Sequence, residues 1–358
     1  MIEIAELFVP YPSDLWTLAV QVGVSHAVTV LPYEAPTPGQ PAPTAPRSWE
    51  RIHGMRPLSE IARDADGHFP WDYESLAAVK ARYAAAGLAL GVIESSPPME
   101  RVRLGADGRD EEIEQIQVML RAMGRLGIGA WCYNFMAAAS WGRTSTTTPA
   151  RGGALVTAFD QSLVPPLSLP AGVSLTHAQL WDNFKYFLER VIPVAEEAGV
   201  RLALHPDDPP LSAMGPVPRL FSSVENFQQA LDLVPSPANA LTLCQGNFAL
   251  LTDDLPGVIE HFGRQRRIAF VHFRDVRGTA ARFEETFHDL GPTDLLACLR
   301  AYRAIDYQGL LRPDHVPTLA GEDNASPGYA TLGRLFAVGY IRGLCEAVFG
   351  RPPVEAAG

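Results

Sequence analysis

The stretch "HAQLWDNFKYFLERVIPVAEEAGVRLALH", residues 177–205, contains the alternation that decides the fold. Its first part, residues 177–199, has apolar residues at helical spacing and ends at a glycine, which predicts a long amphipathic helix. The remaining six residues, 200–205, form a short apolar run that predicts a buried strand. A helix that alternates with short apolar strands is typical of α/β folds, in which the strands pair in parallel.

The same alternation continues in both directions along the chain. Seven further short apolar runs are each followed by a helical pattern, at residues 2–9, 26–31, 88–94, 128–135, 239–244, 268–273 and 307–313. Eight strand–helix units predict a (β/α)8 TIM barrel, which takes roughly 250 residues before insertions. The chain has 358 residues, and we expect one barrel domain over residues 1–350 and a C-terminal tail over residues 351–358.

The length beyond a minimal barrel lies in four segments that each follow a strand and precede a helix. They span about residues 32–70, 136–175, 206–222 and 276–292, and the first contains a Pro-rich stretch over residues 32–46. In a TIM barrel such loops lie at the C-terminal face, where active sites are found. We therefore expect the insertions to surround the functional site. The sequence leaves open whether the Pro-rich stretch is a lid or a subunit contact.

Composition narrows the class of partner. The chain has a net charge of −11, with 29 Lys and Arg against 40 Asp and Glu, which disfavours a nucleic-acid partner. No apolar run reaches the ~18 residues that a membrane span needs. The N-terminus lacks the basic region and the small-residue cleavage site of a signal peptide. With four cysteines and no C-x-x-C pair, we expect a cytoplasmic protein with reduced thiols and no membrane partner.

Residues that commonly bind metals stand at the ends of the last four predicted strands. Strand five ends at His205, strand six at Cys244 and strand seven at His272, and strand eight runs into Asp314. The carboxyl ends of barrel strands meet at one rim, so these four side chains can converge on one divalent cation. Any one of them alone is more often structural. Their repetition in four successive units predicts a metal site, and the mixed donors do not decide among Zn, Fe and Mn.

Other residues near strand ends have two interpretations each. Asn134 could hold a substrate hydroxyl or cap a turn. Arg274 could contact the substrate or support the metal ligands, and Arg312 could clamp a carboxylate or form a structural ion pair. His288 stands on a loop of the same rim and could reach the pocket. Glu94 closes strand three and could be a functional carboxylate or the buried partner of an arginine.

Several short motifs resemble one known family. They are "CYNF" (132–135), "WGRT" (141–144), "HPDDPP" (205–210), "LTLCQGN" (241–247), "VHFRDV" (271–276), "RPDH" (312–315) and "PGY" (327–329). Together they resemble D-mannonate dehydratase, of the xylose-isomerase-like barrels, from about residue 94 to the last helix. The resemblance implies a divalent metal on the four residues above, Mn²⁺ first, with Fe²⁺, Co²⁺ or Zn²⁺ as alternatives. It also implies proton-transfer roles for His315 and Tyr329, a sugar-acid substrate with Trp141 on the substrate side, and a homo-oligomer.

The reaction that the resemblance implies is the loss of water from D-mannonate to give 2-keto-3-deoxy-D-gluconate. The alternative is a sugar isomerase or epimerase of the same superfamily, although such enzymes usually bind their metal through more carboxylates and without a cysteine. A metal-dependent barrel endonuclease is disfavoured by the net charge of −11. A non-catalytic sugar-acid binder is disfavoured because His315 and Tyr329 are both present.

Three regions depart from the family pattern. They are the first ninety residues, the insertion that follows "WGRT", and "VPTLAGE" (316–322), where the family has a glycine and a Trp-Gly-Glu segment. These regions would line the substrate side of the pocket. The sequence therefore predicts the metal and the proton-transfer chemistry more firmly than the identity of the sugar acid.

Overall fold

The computed structural model describes residues 2–33 and 57–350. Most of the predicted Pro-rich stretch, residues 34–46, lies outside the described residues, and so does the predicted tail over residues 351–358. In the described part of the chain, none of the helices combines the length and the apolar character needed to cross a membrane.

Fourteen strands and ten α-helices are present in the described residues. The strands are β1 (Glu3–Phe8), β2 (His26–Thr29), β3 (Ala89–Ile93), β4 (Ala130–Tyr133), β5 (Ser145–Pro149), β6 (Leu155–Asp160), β7 (Arg201–Leu204), β8 (Ala213–Met214), β9 (Val217–Pro218), β10 (Asn239–Cys244), β11 (Ile268–Phe273), β12 (Val276–Thr279), β13 (Arg282–Glu285) and β14 (Leu310–Pro313). The helices are α1 (Asp14–Gln21), α2 (Tyr73–Ala85), α3 (Glu100–Leu104), α4 (Arg109–Leu126), α5 (His177–Ala198), α6 (Val224–Leu233), α7 (Gln245–Ala249), α8 (Leu255–Arg264), α9 (Leu295–Ala304) and α10 (Thr331–Phe349).

Eight of the strands close into a parallel barrel, in the order β1-β14-β11-β10-β7-β4-β3-β2. This confirms the predicted (β/α)8 barrel. Mainly small strand residues, such as Ala5, Ala203 and Ala240, form one buried cluster, and larger residues such as Trp131 pack against the helices in a second. Small side chains inside and large ones outside are what a narrow barrel wrapped by helices requires.

Strand register brings three predicted site residues side by side. Cys244 on β10 pairs with His272 on β11, and His272 pairs in turn with Arg312 on β14. All three lie at the carboxyl ends of their strands, because parallel strands of a barrel start and end on the same sides. The rim predicted from the sequence is therefore built from adjacent strands.

Two of the insertions are more regular than the predicted loops. Strands β5 and β6 from the second insertion and β12 and β13 from the fourth form one antiparallel sheet, in the order β12-β13-β6-β5. Phe159 on β6 lies opposite Phe283 on β13, and their ring centroids are 5.7 Å apart. Such short strands carry a weak local pattern, and their partners are far away in the chain, so the sequence alone predicted irregular structure here.

Candidate active site

Three predicted metal ligands meet at the carboxyl rim of the barrel. His205 follows β7, Cys244 ends β10 and His272 lies on β11, and one ligand atom from each lies within 4.8 Å of the other two. His205 Nε2 is 3.2 Å from His272 Nδ1. Cys244 and His272 are buried, whereas His205 is half-buried. The three donors are thus close enough together to share one ion.

The charged groups around Cys244 lower the pKa of its thiol. Burial raises the pKa of its thiol, but the Arg274 guanidinium and the His205 ring outweigh burial and lower the pKa to about 5. The thiolate, rather than the thiol, is the form that binds metals. The surroundings of Cys244 therefore favour its thiolate form.

Asp314, the fourth predicted ligand, lies beside this set but is not one of its three members. Its Oδ2 is 3.6 Å from His272 Nδ1. The same oxygen accepts a hydrogen bond from Arg274 Nε at 2.8 Å, and Arg312 Nη1 lies 3.0 Å from Oδ1. Burial raises the pKa of Asp314, but His315, Arg312 and His272 hold it well below its usual range. Asp314 is a fixed anion next to the three donors.

His272 also belongs to a second group of metal-binding residue types. Glu94, Cys132 and His272 each offer an atom within 4.8 Å of the other two. The Nε2 atom of His272 has no hydrogen-bond partner in the described part of the chain, and Glu94 Oε2 lies 3.4 Å from it. Arg312 donates to both oxygens of Glu94, at 3.0 and 2.7 Å, so the two residues form the ion pair that was one interpretation of each, with 18% of the Glu94 side chain exposed.

These donors fit a divalent cation. Two imidazoles and a thiolate within one small volume suit Zn, Fe, Mn and Co. Burial and Arg312 lower the pKa of His272, but the carboxylates of Glu94 and Asp314 outweigh them and raise it. Binding of a cation would therefore displace a proton from this ring.

His315 and Tyr329 face each other beside Asp314. Their ring centroids are 5.3 Å apart in an edge-on arrangement, and Tyr329 Oη donates to Asp314 Oδ1 over 3.4 Å. Burial raises the pKa of the Tyr329 phenol, so it keeps its proton. Trp141 also packs against His315, with ring centroids 5.2 Å apart. The structure therefore brings together the two predicted proton-transfer residues and one residue predicted on the substrate side.

The remaining predicted substrate contacts have protein partners. All five N–H groups of Arg274 point at protein acceptors, in Asp314, Glu285, Asp208 and Asn247. Asn134 Oδ1 accepts hydrogen bonds from Arg103 and from the backbone N–H of Met136. The second of these is the contact expected if Asn134 caps a turn, which was one of its two interpretations.

His288 also has a protein partner. It is buried, and its Nε2 donates to the carbonyl oxygen of Phe273 at 2.8 Å. Burial lowers the pKa of His288 to about 4, so the ring is neutral at pH 7. In this structure it supports the end of β11.

Two residues of the site were missed by the sequence analysis. Arg143 forms a bidentate pair with Asp208, at 2.7 and 2.9 Å, and its Nη2 lies 2.6 Å from Glu285 Oε1. Glu285 Oε1 in turn lies 2.8 Å from His315 Nδ1. Arg143 belongs to the "WGRT" motif, which was a usable signal, whereas Glu285 on β13 stands in no motif. Burial raises the pKa of Glu285, but Arg274, His315 and Arg143 lower it to about 2.

Comparison with known sequences places the chain among proteins of one family. Residues 58–171 and 168–351 match the D-mannonate dehydratase family. Mannonate dehydratase 2 of Halalkalibacterium halodurans is 34% identical over 326 residues, which cover 84% of this chain and 94% of the relative.

Comparison with solved structures also finds similarity to a mannonate dehydratase. The mannonate dehydratase of Streptococcus suis serotype 2 superposes with a TM-score of 0.80 and 30% identity, covering 98% of this chain and 94% of that one. A xylose isomerase domain protein of Planctomyces limnophilus, with a TM-score of 0.57 and 13% identity over 98% of this chain and 100% of that one, shares the barrel fold alone. On these similarities in sequence and structure, the chain belongs to the D-mannonate dehydratase family.

Proposed function

We propose that the protein is a hydro-lyase that removes water from D-mannonate and gives 2-keto-3-deoxy-D-gluconate, with a divalent cation as cofactor. The observation that carries the proposal is the group of His205, Cys244 and His272 beside the pair of His315 and Tyr329, in a chain of the D-mannonate dehydratase family. A thiolate donor argues against the alternative of a sugar isomerase or epimerase, whose metal sites are usually richer in carboxylates.

The proposed ligands are His205, Cys244 and His272, with Asp314 as the fourth. Asp314 would need only a small movement to join the set, since its Oδ2 is 3.6 Å from His272 Nδ1. We propose Mn²⁺ as the cation, with Fe²⁺, Co²⁺ and Zn²⁺ as alternatives. When bound, a divalent cation supplies Lewis-acid stabilisation of the negative charge that develops on the substrate carboxylate.

Two proton transfers are left for the protein. The proton on C2 of a sugar acid is weakly acidic and needs a base, and the C3 hydroxyl is a poor leaving group and needs an acid. We assign the base to His315 and the acid to Tyr329, because burial keeps the phenol of Tyr329 protonated by raising its pKa. A positioned acid or base contributes roughly 10²–10⁴-fold to the rate.

Arginine contacts keep the acidic side chains of this site in place. Arg274 and Arg312 both contact Asp314, and Arg312 also holds Glu94. We propose that they act on the reaction through these carboxylates, and that Trp141 packs beside the substrate. Precise placement of catalytic groups depends on such supporting contacts. The substrate contacts predicted for Asn134 and His288, the homo-oligomeric state and the cytoplasmic location stay predictions.

The direct test is an assay of the chelator-treated protein reconstituted separately with Mn²⁺, Fe²⁺, Co²⁺ and Zn²⁺. Incubation with D-mannonate should yield a 2-keto-3-deoxy acid with at least one metal and none without metal. The matched control is the His315→Asn variant carrying the same metal. Absence of this product with all four metals, together with interconversion of a ketohexose, would overturn the proposal in favour of an isomerase or epimerase.

A further inference from the structure

Glu285 is a buried carboxylate that the proposed reaction does not yet use. It ends strand β13, in the sheet that the second and fourth insertions form together. Its Oε1 lies 2.8 Å from Nδ1 of His315, and both residues are almost fully enclosed, with 2% and 4% of their surface exposed. The contact is therefore shielded from water.

Two arginines hold the Glu285 carboxylate in a fixed orientation. Arg143 donates to Oε1 through Nε at 3.2 Å and through Nη2 at 2.6 Å. Arg274 Nη1 donates to both oxygens, at 2.9 and 2.8 Å. A carboxylate paired with two guanidinium groups stays ionised and can only accept hydrogen bonds.

An acceptor at this distance decides which nitrogen of His315 carries the proton. A lone pair on Nδ1 would meet the Oε1 lone pairs at 2.8 Å, which is repulsive, whereas an N–H on Nδ1 donates to Oε1. Arg143 Nη2 lies 3.1 Å from the same Nδ1 but is itself a donor, and Glu285 Oε1 is the nearer partner. The neutral ring therefore carries its proton on Nδ1, and Nε2 keeps its lone pair.

We propose that Glu285 is a positioning residue for His315, which fixes the orientation and the tautomer of the imidazole so that Nε2 is the atom that accepts a proton. The inference rests on the proposed function for the claim that His315 takes part in proton transfer. The ring is also enclosed by Trp141 and Tyr329, so one hydrogen bond at Nδ1 suffices to set the direction of Nε2. The competing explanation is that Glu285 only neutralises Arg143 and Arg274.

The first test is independent of any activity. Nitrogen-15 NMR of histidine-labelled protein, loaded with diamagnetic Zn²⁺, reports the tautomer of each ring, and the His315→Asn variant assigns the His315 signals. We expect the wild-type ring to be protonated on Nδ1. A wild-type His315 protonated on Nε2 overturns the proposal.

The second test separates positioning from neutralisation. Glu285→Asp keeps the charge beside both arginines but withdraws the oxygens from His315 by one methylene. Glu285→Gln keeps the length but not the charge. Glu284→Gln is the matched control, since Glu284 is the neighbouring residue on β13, has 39% of its side chain exposed and pairs with Arg277.

Positioning predicts that Glu285→Asp keeps its bound metal and a KM within about threefold of wild type while kcat falls by roughly 10²–10⁴-fold, whereas Glu285→Gln, whose amide oxygen can still accept a hydrogen bond from His315, keeps a higher kcat than Glu285→Asp. Glu284→Gln should match wild type. A folded Glu285→Asp with wild-type kcat would leave neutralisation as the role and overturn the proposal. If neither variant folds, the proposal is tested by the tautomer of His315 in the wild-type protein. If wild type does not dehydrate D-mannonate, the proposed function fails, while the tautomer still tests Glu285.

Discussion

Arg143 and Asp208 form a fully buried bidentate ion pair, with N–O distances of 2.7 and 2.9 Å. Arg143 comes from the second insertion and Asp208 from the third, so the pair fastens two loops of the rim to each other. Only 1% and 4% of the two side chains are exposed. This pair, with Glu285 attached to it, is one connection through which the insertions reach His315, and Trp141 is another.

Removing one partner of this buried pair should destabilise the protein strongly. We expect Arg143→Met to lower the free energy of unfolding by about 3–5 kcal/mol, because it removes one of the two guanidinium groups that pair with the buried carboxylates of Asp208 and Glu285. Unfolding in urea, followed by circular dichroism, measures the change. Arg151→Met is the matched control, since Arg151 pairs with Asp289 at 2.7 Å with 44% of its side chain exposed. An exposed pair contributes about 0–1 kcal/mol, so equal losses in both variants would contradict this prediction.

Loss of a metal ligand should release the cation and leave the barrel folded. We expect Cys244→Ala and His272→Ala to contain no bound metal by elemental analysis and to have no measurable turnover, with an unchanged circular dichroism spectrum. Cys132→Ala distinguishes the two ligand groups of the site, because Cys132 belongs to the group with Glu94 and not to the group with Cys244. A protein that loses metal on Cys132→Ala but keeps it on Cys244→Ala would place the ion in the group of Glu94, Cys132 and His272.

The proton-transfer residues should affect turnover without affecting metal content. We expect His315→Asn and Tyr329→Phe each to lower kcat for D-mannonate by roughly 10²–10⁴-fold, since each variant lacks one acid or base. Metal content, measured on the same samples, should equal that of wild type. Wild-type kcat in either variant would remove that residue from the mechanism.

A buried acid far from the metal ligands gives the stability a pH dependence. Burial raises the pKa of Glu112, in the first turn of α4, from 4.5 to about 7. Its stabilising contribution is fully present below pH 4.5 and is lost as the pH rises to about 7, because the unfolded chain ionises first.

Glu112→Gln should remove this dependence. Between pH 5.5 and 8.5 we expect the stability of wild type to fall relative to the variant by about 2 kcal/mol, measured by urea unfolding at both pH values. Glu111→Gln is the control, since the neighbouring Glu111 has 68% of its side chain exposed. A difference between Glu112→Gln and wild type that does not change with pH would contradict the raised pKa.

The barrel and its rim could be predicted from local patterns in the sequence. Hydrophobic periodicity distinguishes helices from strands, and eight alternating units lead to a closed parallel barrel. Parallel strands end on one side, so residues at strand ends, such as His205, Cys244 and His272, were predicted to meet without knowledge of the packing. The motifs around them added the family and, with it, Tyr329.

The supporting contacts of the site were decided by the tertiary structure. Glu285 and Arg143 are 142 residues apart in sequence and meet because β13 pairs with β6. Arg274 pairs with Asp314, and Arg312 pairs with Glu94. From the sequence, either arginine could equally have contacted the substrate. Periodicity depends on the residue's own neighbours in the chain, so it is visible in the sequence. The partner of a buried charge depends on which distant segments pack together, and that is determined only when the whole chain has folded.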